Sequence, residues 1–98
     1  MSGIERIAAE RQRQIEQEGW TPKHDDEHND ESLASAAAAY AIAGVYRSAY
    51  GEDTSEPPSD WPWDDSWWKP LPDNRIRELE KAGALIAAEI DRLERLKA

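Results

Sequence analysis

Three observations predict an all-α fold with three principal helices. Apolar residues recur at helical spacing in three long segments. Glycine and proline break the chain between those segments. The middle segment is rich in alanine, the best intrinsic helix former. The expected architecture is a single helical domain over residues 1–98, with helices at about 3–17, 31–49 and 73–96 and a Pro/Trp-rich loop at 51–71 packed on them.

The first helix places Ile4, Ile7, Ala8, Arg11 and Ile15 on one face, and Gly19 follows as a natural stop. Glu10, Arg13, Gln14 and Gln17 fall on other faces and are expected to be mostly solvated. Residues 20–30 read as a polar turn, because Pro22 bars continuation of a preceding helix. Asn29 or Asp30 is the expected cap of the second helix. Its inner stripe is Leu33, Ala36, Ala37, Tyr40, Ala41, Gly44 and Val45, small enough to let a neighbouring helix approach closely.

Pro57, Pro58, Pro62, Pro70 and Pro72 forbid regular helix in the long loop. A loop of that length in a compact domain is functional or disordered, and its tryptophans argue against disorder in the second half. Asp73 is the expected cap of the last helix. There Ile76, Leu79, Gly83, Ile86, Ile90 and Leu93 repeat at heptad-like spacing, widened by Leu85 and Leu96. Such a seam suits one wall of a bundle or a two-helix dimer contact.

Composition narrows the function classes. The chain carries a net charge of −9, which argues against a general nucleic-acid binder, since phosphate contacts need a basic surface. A DNA mimic is the minor acidic alternative, opposed by twelve Lys and Arg mixed among the acids. There is no cysteine, hence no disulfide framework or thiolate chemistry. No signal peptide is visible, and no apolar run nears the ~20 residues of a membrane span. These features lead to the expectation of a soluble cytoplasmic protein. Phenylalanine is absent and much of the apolar content is alanine, so either the tryptophans complete the core or the chain oligomerises, or both.

Five tryptophans in 98 residues are the main functional signal. Trp20 opens the turn that contains Thr21, Lys23, His24, Asp25, Asp26 and His28, while Trp61, Trp63, Trp67 and Trp68 crowd one loop ahead of Lys69. Exposed indoles are costly and each N–H wants a partner. The functional reading is a stacking platform for a flat ligand, with Lys69, Arg75 and Arg77 near enough in sequence to meet phosphates. The structural reading is that Trp63 and Trp68 pin the loop while Trp61 and Trp67 shield the helices. His24, Asp25, Asp26, Glu27, His28 and Asp30 offer metal-ligand atoms. They equally describe a capped, solvated acidic turn, and no metal is assigned to them. Arg11 on an apolar stripe calls for a carboxylate, with Asp25 or Asp26 the candidates, or clamps a ligand anion.

Glu10, Glu16, Glu18, Glu27 and Glu31 invite comparison with all-helical nucleoside-triphosphate pyrophosphatases. Those hold Mg²⁺ with paired acids on two helices. Glu27 and Asp30 have one of the required spacings; the first acid pair is not cleanly present, and no nucleophile-base pair stands out.

A wider resemblance rests on Glu10-Arg11-Gln12-Arg13-Gln14-Ile15, Glu18-Gly19-Trp20-Thr21-Pro22, His24-Asp25-Asp26-Glu27-His28, Trp61-Pro62-Trp63, Trp67-Trp68-Lys69-Pro70 and Lys81-Ala82-Gly83-Ala84-Leu85-Ile86. Together these words resemble a family of small bacteriophage and prophage proteins over nearly the whole chain. That resemblance implies a phage origin and no particular activity. Over about a third of the chain, Gly19-Trp20, Asp25-Asp26, His28 and Leu33 are similar to the ryanodine-receptor-type repeat, although Thr21-Pro22 replaces the usual aromatic-glycine continuation. That similarity implies a small-ligand, nucleotide-sensing module.

The resulting expectation is a non-enzymatic binder of a small nucleotide-like ligand, without cofactor, in the cytoplasm of an infected cell. One concrete form is an anti-defence sponge for a host immune signalling nucleotide. Trp20, Trp61, Trp63, Trp67 and Trp68 would stack; Arg11, Lys23 and Lys69 would neutralise phosphate; Thr21, His24, Asp25, Asp26 and His28 complete the ligand-binding set. The last helix would support a homo-oligomer. The alternatives are a module that docks its tryptophan loop on a host protein and a Mg²⁺-dependent nucleotide hydrolase.

Overall fold

The computed structural model describes residues 1–97 and contains four α-helices: α1 (Gly3–Glu18), α2 (Pro22–Asp26), α3 (Ser32–Tyr50) and α4 (Arg75–Lys97). The all-α class and the three long helices agree with the sequence reading. The turn after Gly19 is more ordered than expected. Pro22 stops nothing there; it occupies the first turn of α2, where its missing N–H costs no hydrogen bond.

The helix ends follow local chemistry. Ser2 and Glu5 form a reciprocal capping box on α1, and Gly19 closes that helix with φ of 71°. The expected cap of α3 is corrected. Glu31 takes the cap position with a positive φ and offers no side-chain bond, while Asp30 accepts from the Ser32 N–H. The cap of α4 is likewise not Asp73: the Asn74 side chain accepts from the Arg77 N–H.

Helix α4 is the hub and packs against α3, α1 and α2. The α3–α4 contact is built from Ala36, Ala37, Ala39 and Ala43 with Ala82, Leu85 and Ala88, all buried, plus Leu33 and Tyr40. Small side chains let the backbones approach, as expected. The inner stripe is nevertheless rotated from the sequence reading: Ala39 and Ala43 are buried, whereas Val45 is exposed. Gly44 is required by a close approach, because the Arg75 guanidinium lies over it and donates to the carbonyls of Tyr40 and Ala41.

Two expectations about faces are overturned. The heptad-like seam of α4 is not a wall of this protomer's core: Ile76, Leu79, Ile86, Ile90 and Leu93 are all exposed, and Ile4 of α1 is 82 % exposed. Conversely, Glu10 and Gln14, expected in solvent, are buried. The inward faces of α1 and α4 carry charge because that charge is paired. Glu78, fully buried, accepts from Arg47 at 2.5 and 2.6 Å, from Arg75 at 3.1 Å and from the Leu71 N–H at 2.8 Å. Glu89 and Arg92 pair at 2.6 and 3.0 Å. Such groups stabilise only as complete sets; removing one partner of a buried pair costs about 3–5 kcal/mol.

The loop between α3 and α4 is pinned by indoles. Trp61 and Trp68 enter the core and meet Tyr40, with ring centroids 5.5 and 4.7 Å away. Their N–H groups donate to the carbonyls of Asp64 and Thr54 at 3.1 and 2.9 Å, which removes the cost of burying them. The Lys69 N–H donates to the Tyr40 hydroxyl oxygen at 3.1 Å. Thus Trp61, not Trp63, joins Trp68 in holding the loop. Its aromatic half is part of the hydrophobic core, as the tryptophan content requires.

Candidate functional site

The loop arches over a polar row on α1 and its counterpart on α4. Glu10, Gln14 and Glu18 repeat every fourth residue along one face of α1, and Lys81 and Leu85 are one helical turn apart on α4. With the indoles they enclose a cavity of about 310 Å³, lined by Glu10, Arg13, Gln14, Glu18, Trp20, Tyr40, Trp61, Trp63, Trp67, Lys69, Lys81 and Leu85. Two larger depressions, of about 520 and 530 Å³, have no aromatic side chain in their walls.

The electrostatics of the cavity are specific. Arg13 holds Glu10 at 2.7 and 3.0 Å and reaches Glu18 at 3.1 Å, while Arg77 reaches Glu10 at 2.5 Å. Burial pushes the Glu10 carboxyl up, but the hydrogen bonds and charges of the two arginines prevail and hold it below its ordinary value of 4.5. Lys81 has no such partner. Burial, aided by the nearby Arg77 charge, pulls its ammonium below its ordinary pKa, against the attraction of Glu10 and Glu18. Its Nζ lies 5.4 Å from the Tyr40 ring centroid, and Lys69 Nζ lies 5.8 Å from that of Trp67.

Among the described residues, every lysine and arginine except Lys23, Lys69 and Lys81 has a carboxylate within ion-pair distance. Two of those three free ammonium groups line this one cavity. Two cavity-lining side chains also hold orphaned buried atoms: Gln14 Oε1 and Trp63 Nε1. Each such atom costs about 1–3 kcal/mol while unpaired.

A second cavity, of about 370 Å³, adjoins the first and is lined by Trp20, His24, His28, Trp63, Asp64 and Trp67. Trp20 stacks on His24 at 5.6 Å with planes 7° apart, His24 meets His28 at 5.0 Å, and His28 meets Trp63 at 5.2 Å. The Nδ1 atoms are engaged, by Asp25 Oδ1 at 3.3 Å for His24 and by Ser32 Oγ at 3.2 Å for His28. Burial and the neighbouring His24 lower the His28 pKa from 6.5, outweighing Asp25, Asp30 and Glu27, which favour its cation.

The predicted site residues divide accordingly. Trp20, Trp61, Trp63, Trp67 and Lys69 line the first cavity; His24 and His28 join Trp20, Trp63 and Trp67 in the second. Trp68 belongs to the core. Arg11 lines neither cavity: its guanidinium is taken by Asp25 and the Trp20 carbonyl, the structural ion pair the sequence suggested. Thr21 caps α2, Asp26 is paired with Arg95, and Lys23 is exposed and lines neither cavity. Arg75 and Arg77 are engaged by buried carboxylates.

Sequence reasoning missed Arg13, Gln14 and Lys81. Polar residues recur at four-residue spacing on any solvated helix face, so the row on α1 carried no distinguishing signal. Among the described residues, no group of three or more His, Asp or Glu side chains converges as a metal site would require. In comparisons with protein-family models, with curated proteins and with solved structures, none matches this chain.

Proposed function

We propose that this chain binds a small anionic ligand carrying a flat ring, of nucleotide-like chemistry, in the cavity between α1, α4 and the tryptophan loop. The carrying observation is that two of the three lysines without a carboxylate partner among the described residues, Lys69 and Lys81, line one indole-walled cavity. Lys69 is exposed at the rim, whereas Lys81 is half-buried; holding that cation without a counter-ion opposes folding, and an anion beside it offsets the cost. The indoles supply ring faces for stacking, worth about 1–3 kcal/mol per base in single-strand binders. A ligand edge also offers partners to Gln14 and Trp63.

Retention rather than conversion is the role we assign. One concrete form of such a protein is a sponge for a signalling nucleotide in an infected cell. For the hydrolase alternative, no three carboxylates converge among the described residues. The docking alternative lacks a flat aromatic patch, since among the tryptophans only Trp67 is largely exposed, at 57 %.

The test is a nucleotide panel read by intrinsic tryptophan fluorescence and thermal shift. A ligand that binds the native state quenches the indoles and raises Tm. Lys81→Met then weakens binding by about 10-fold or more, the value of a charge-assisted hydrogen bond. No quenching and no Tm shift across the panel would overturn the proposal.

A further inference from the structure

Taking the nucleotide-like reading of the first cavity as its basis, we infer that the ligand carries two ring systems joined by an anionic linker, a dinucleotide. The geometry behind this is the pair of cavities sharing three indoles. Trp20, Trp63 and Trp67 line both the 310 Å³ and the 370 Å³ spaces. Each space alone sits at the low end of the roughly 300–1,000 Å³ typical of small-molecule pockets. Each therefore suits one ring with its sugar rather than a larger single body.

The chemistry of the two spaces is different and complementary. The first holds the free ammonium groups of Lys69 and Lys81, beside Arg13. The second has no lysine or arginine in its lining and is walled by rings, with polar groups suited to a base edge. His24 and His28 have their Nδ1 atoms engaged, which leaves Nε2 for a ligand. Asp64 uses Oδ1 to accept from the Ser66 N–H, which holds its carboxyl below the usual range and leaves Oδ2 as an acceptor. Lysine and arginine charge is thus confined to one side of the shared indoles, together with Glu10 and Glu18, and ring-edge recognition to the other. Trp67 is the most exposed of the three and carries Lys69 Nζ 5.8 Å from its ring centroid, beside the charged space.

The test compares mononucleotides with linear and cyclic dinucleotides by calorimetry on the intact chain. One dinucleotide per protomer is expected, bound at least tenfold more tightly than either mononucleotide. His24→Ala, with helical content checked by circular dichroism, brings the dinucleotide to within a few-fold of the mononucleotide, the ratio of the two affinities being the readout. Lys81→Met weakens both. Mononucleotides that bind as tightly as dinucleotides, or a His24→Ala chain in which that ratio is unaltered, would overturn the two-ring inference while leaving the first cavity's assignment intact. Absence of binding by both classes would overturn that assignment as well.

Discussion

Ile7 occupies the space that any side chain at position 83 would need. A β-carbon built on Gly83 would lie 2.4 Å from Ile7 Cδ1, 2.6 Å from Cγ1 and 3.2 Å from Cγ2. Three atoms of a β-branched residue are involved, so one terminal methyl cannot simply rotate away.

Gly83→Ala therefore sets two effects against each other. Helix propensity gains about 1 kcal/mol, and overpacking costs about 1–3 kcal/mol. Net destabilisation of about 1 kcal/mol is expected in urea denaturation. In an Ile7→Ala background the same change becomes stabilising, because only the propensity gain remains. A cycle showing additive effects would contradict the contact.

Glu78→Gln removes the charge from a fully buried acceptor that serves Arg47, Arg75 and the Leu71 N–H. Two guanidinium groups then lose their counter-charge. A loss of about 3–5 kcal/mol is expected, read as a lower denaturation midpoint with an unchanged m-value. An effect below about 1 kcal/mol would mean that Glu78 is solvated.

The His28 pKa is lowered in the folded state, so the unfolded chain binds the proton more readily. The stability associated with neutral His28 is complete above its ordinary value of 6.5 and is lost as pH falls through the lower folded value. His28→Gln should flatten the stability profile in that window only. Further acidification protonates Glu10, whose depressed pKa places its loss below 4.5 in both proteins. A profile of the same slope in wild type and His28→Gln within the His28 window would refute the assignment.

The exposed seam of α4 gives an expectation about assembly. Ile76, Leu79, Ile86, Ile90 and Leu93 keep heptad spacing on the outside of the protomer, which suits a second helix with the same repeat. A dimer is expected in analytical ultracentrifugation, and Ile86→Glu with Ile90→Glu should yield a folded monomer. A wild-type monomer at all concentrations would refute it.

The seam also shows where sequence reading reaches its limit. Periodicity reveals that α4 has an apolar stripe but not which stripe faces its own protomer. The alanine surface of α3 needs small partners, and Ala82, Leu85 and Ala88 meet that need better than the isoleucines do. Glu78, Glu89 and Arg92 read as solvent residues because their charge is cancelled by side chains distant in sequence or by each other. Helix identity was legible, as were the Gly19 stop, the Arg11–Asp25 pair and the aromatic character of the site. Gln14 and Lys81 were not, since their burial is imposed by a loop some fifty residues from α1 in sequence.

The free lysines of the cavity have a kinetic consequence. Outside it, the net charge of −9 repels a diffusing anion once it comes within about a Debye length of the surface, beyond which salt screens the field. Attraction to Lys69 and Lys81 begins only at short range. Added salt should therefore accelerate capture by screening the exterior, the reverse of ordinary electrostatic steering. It should hasten escape less at Lys81, which is partly shielded from solvent, than at the exposed Lys69. Under the proposed function, capture would be slow and would quicken with salt.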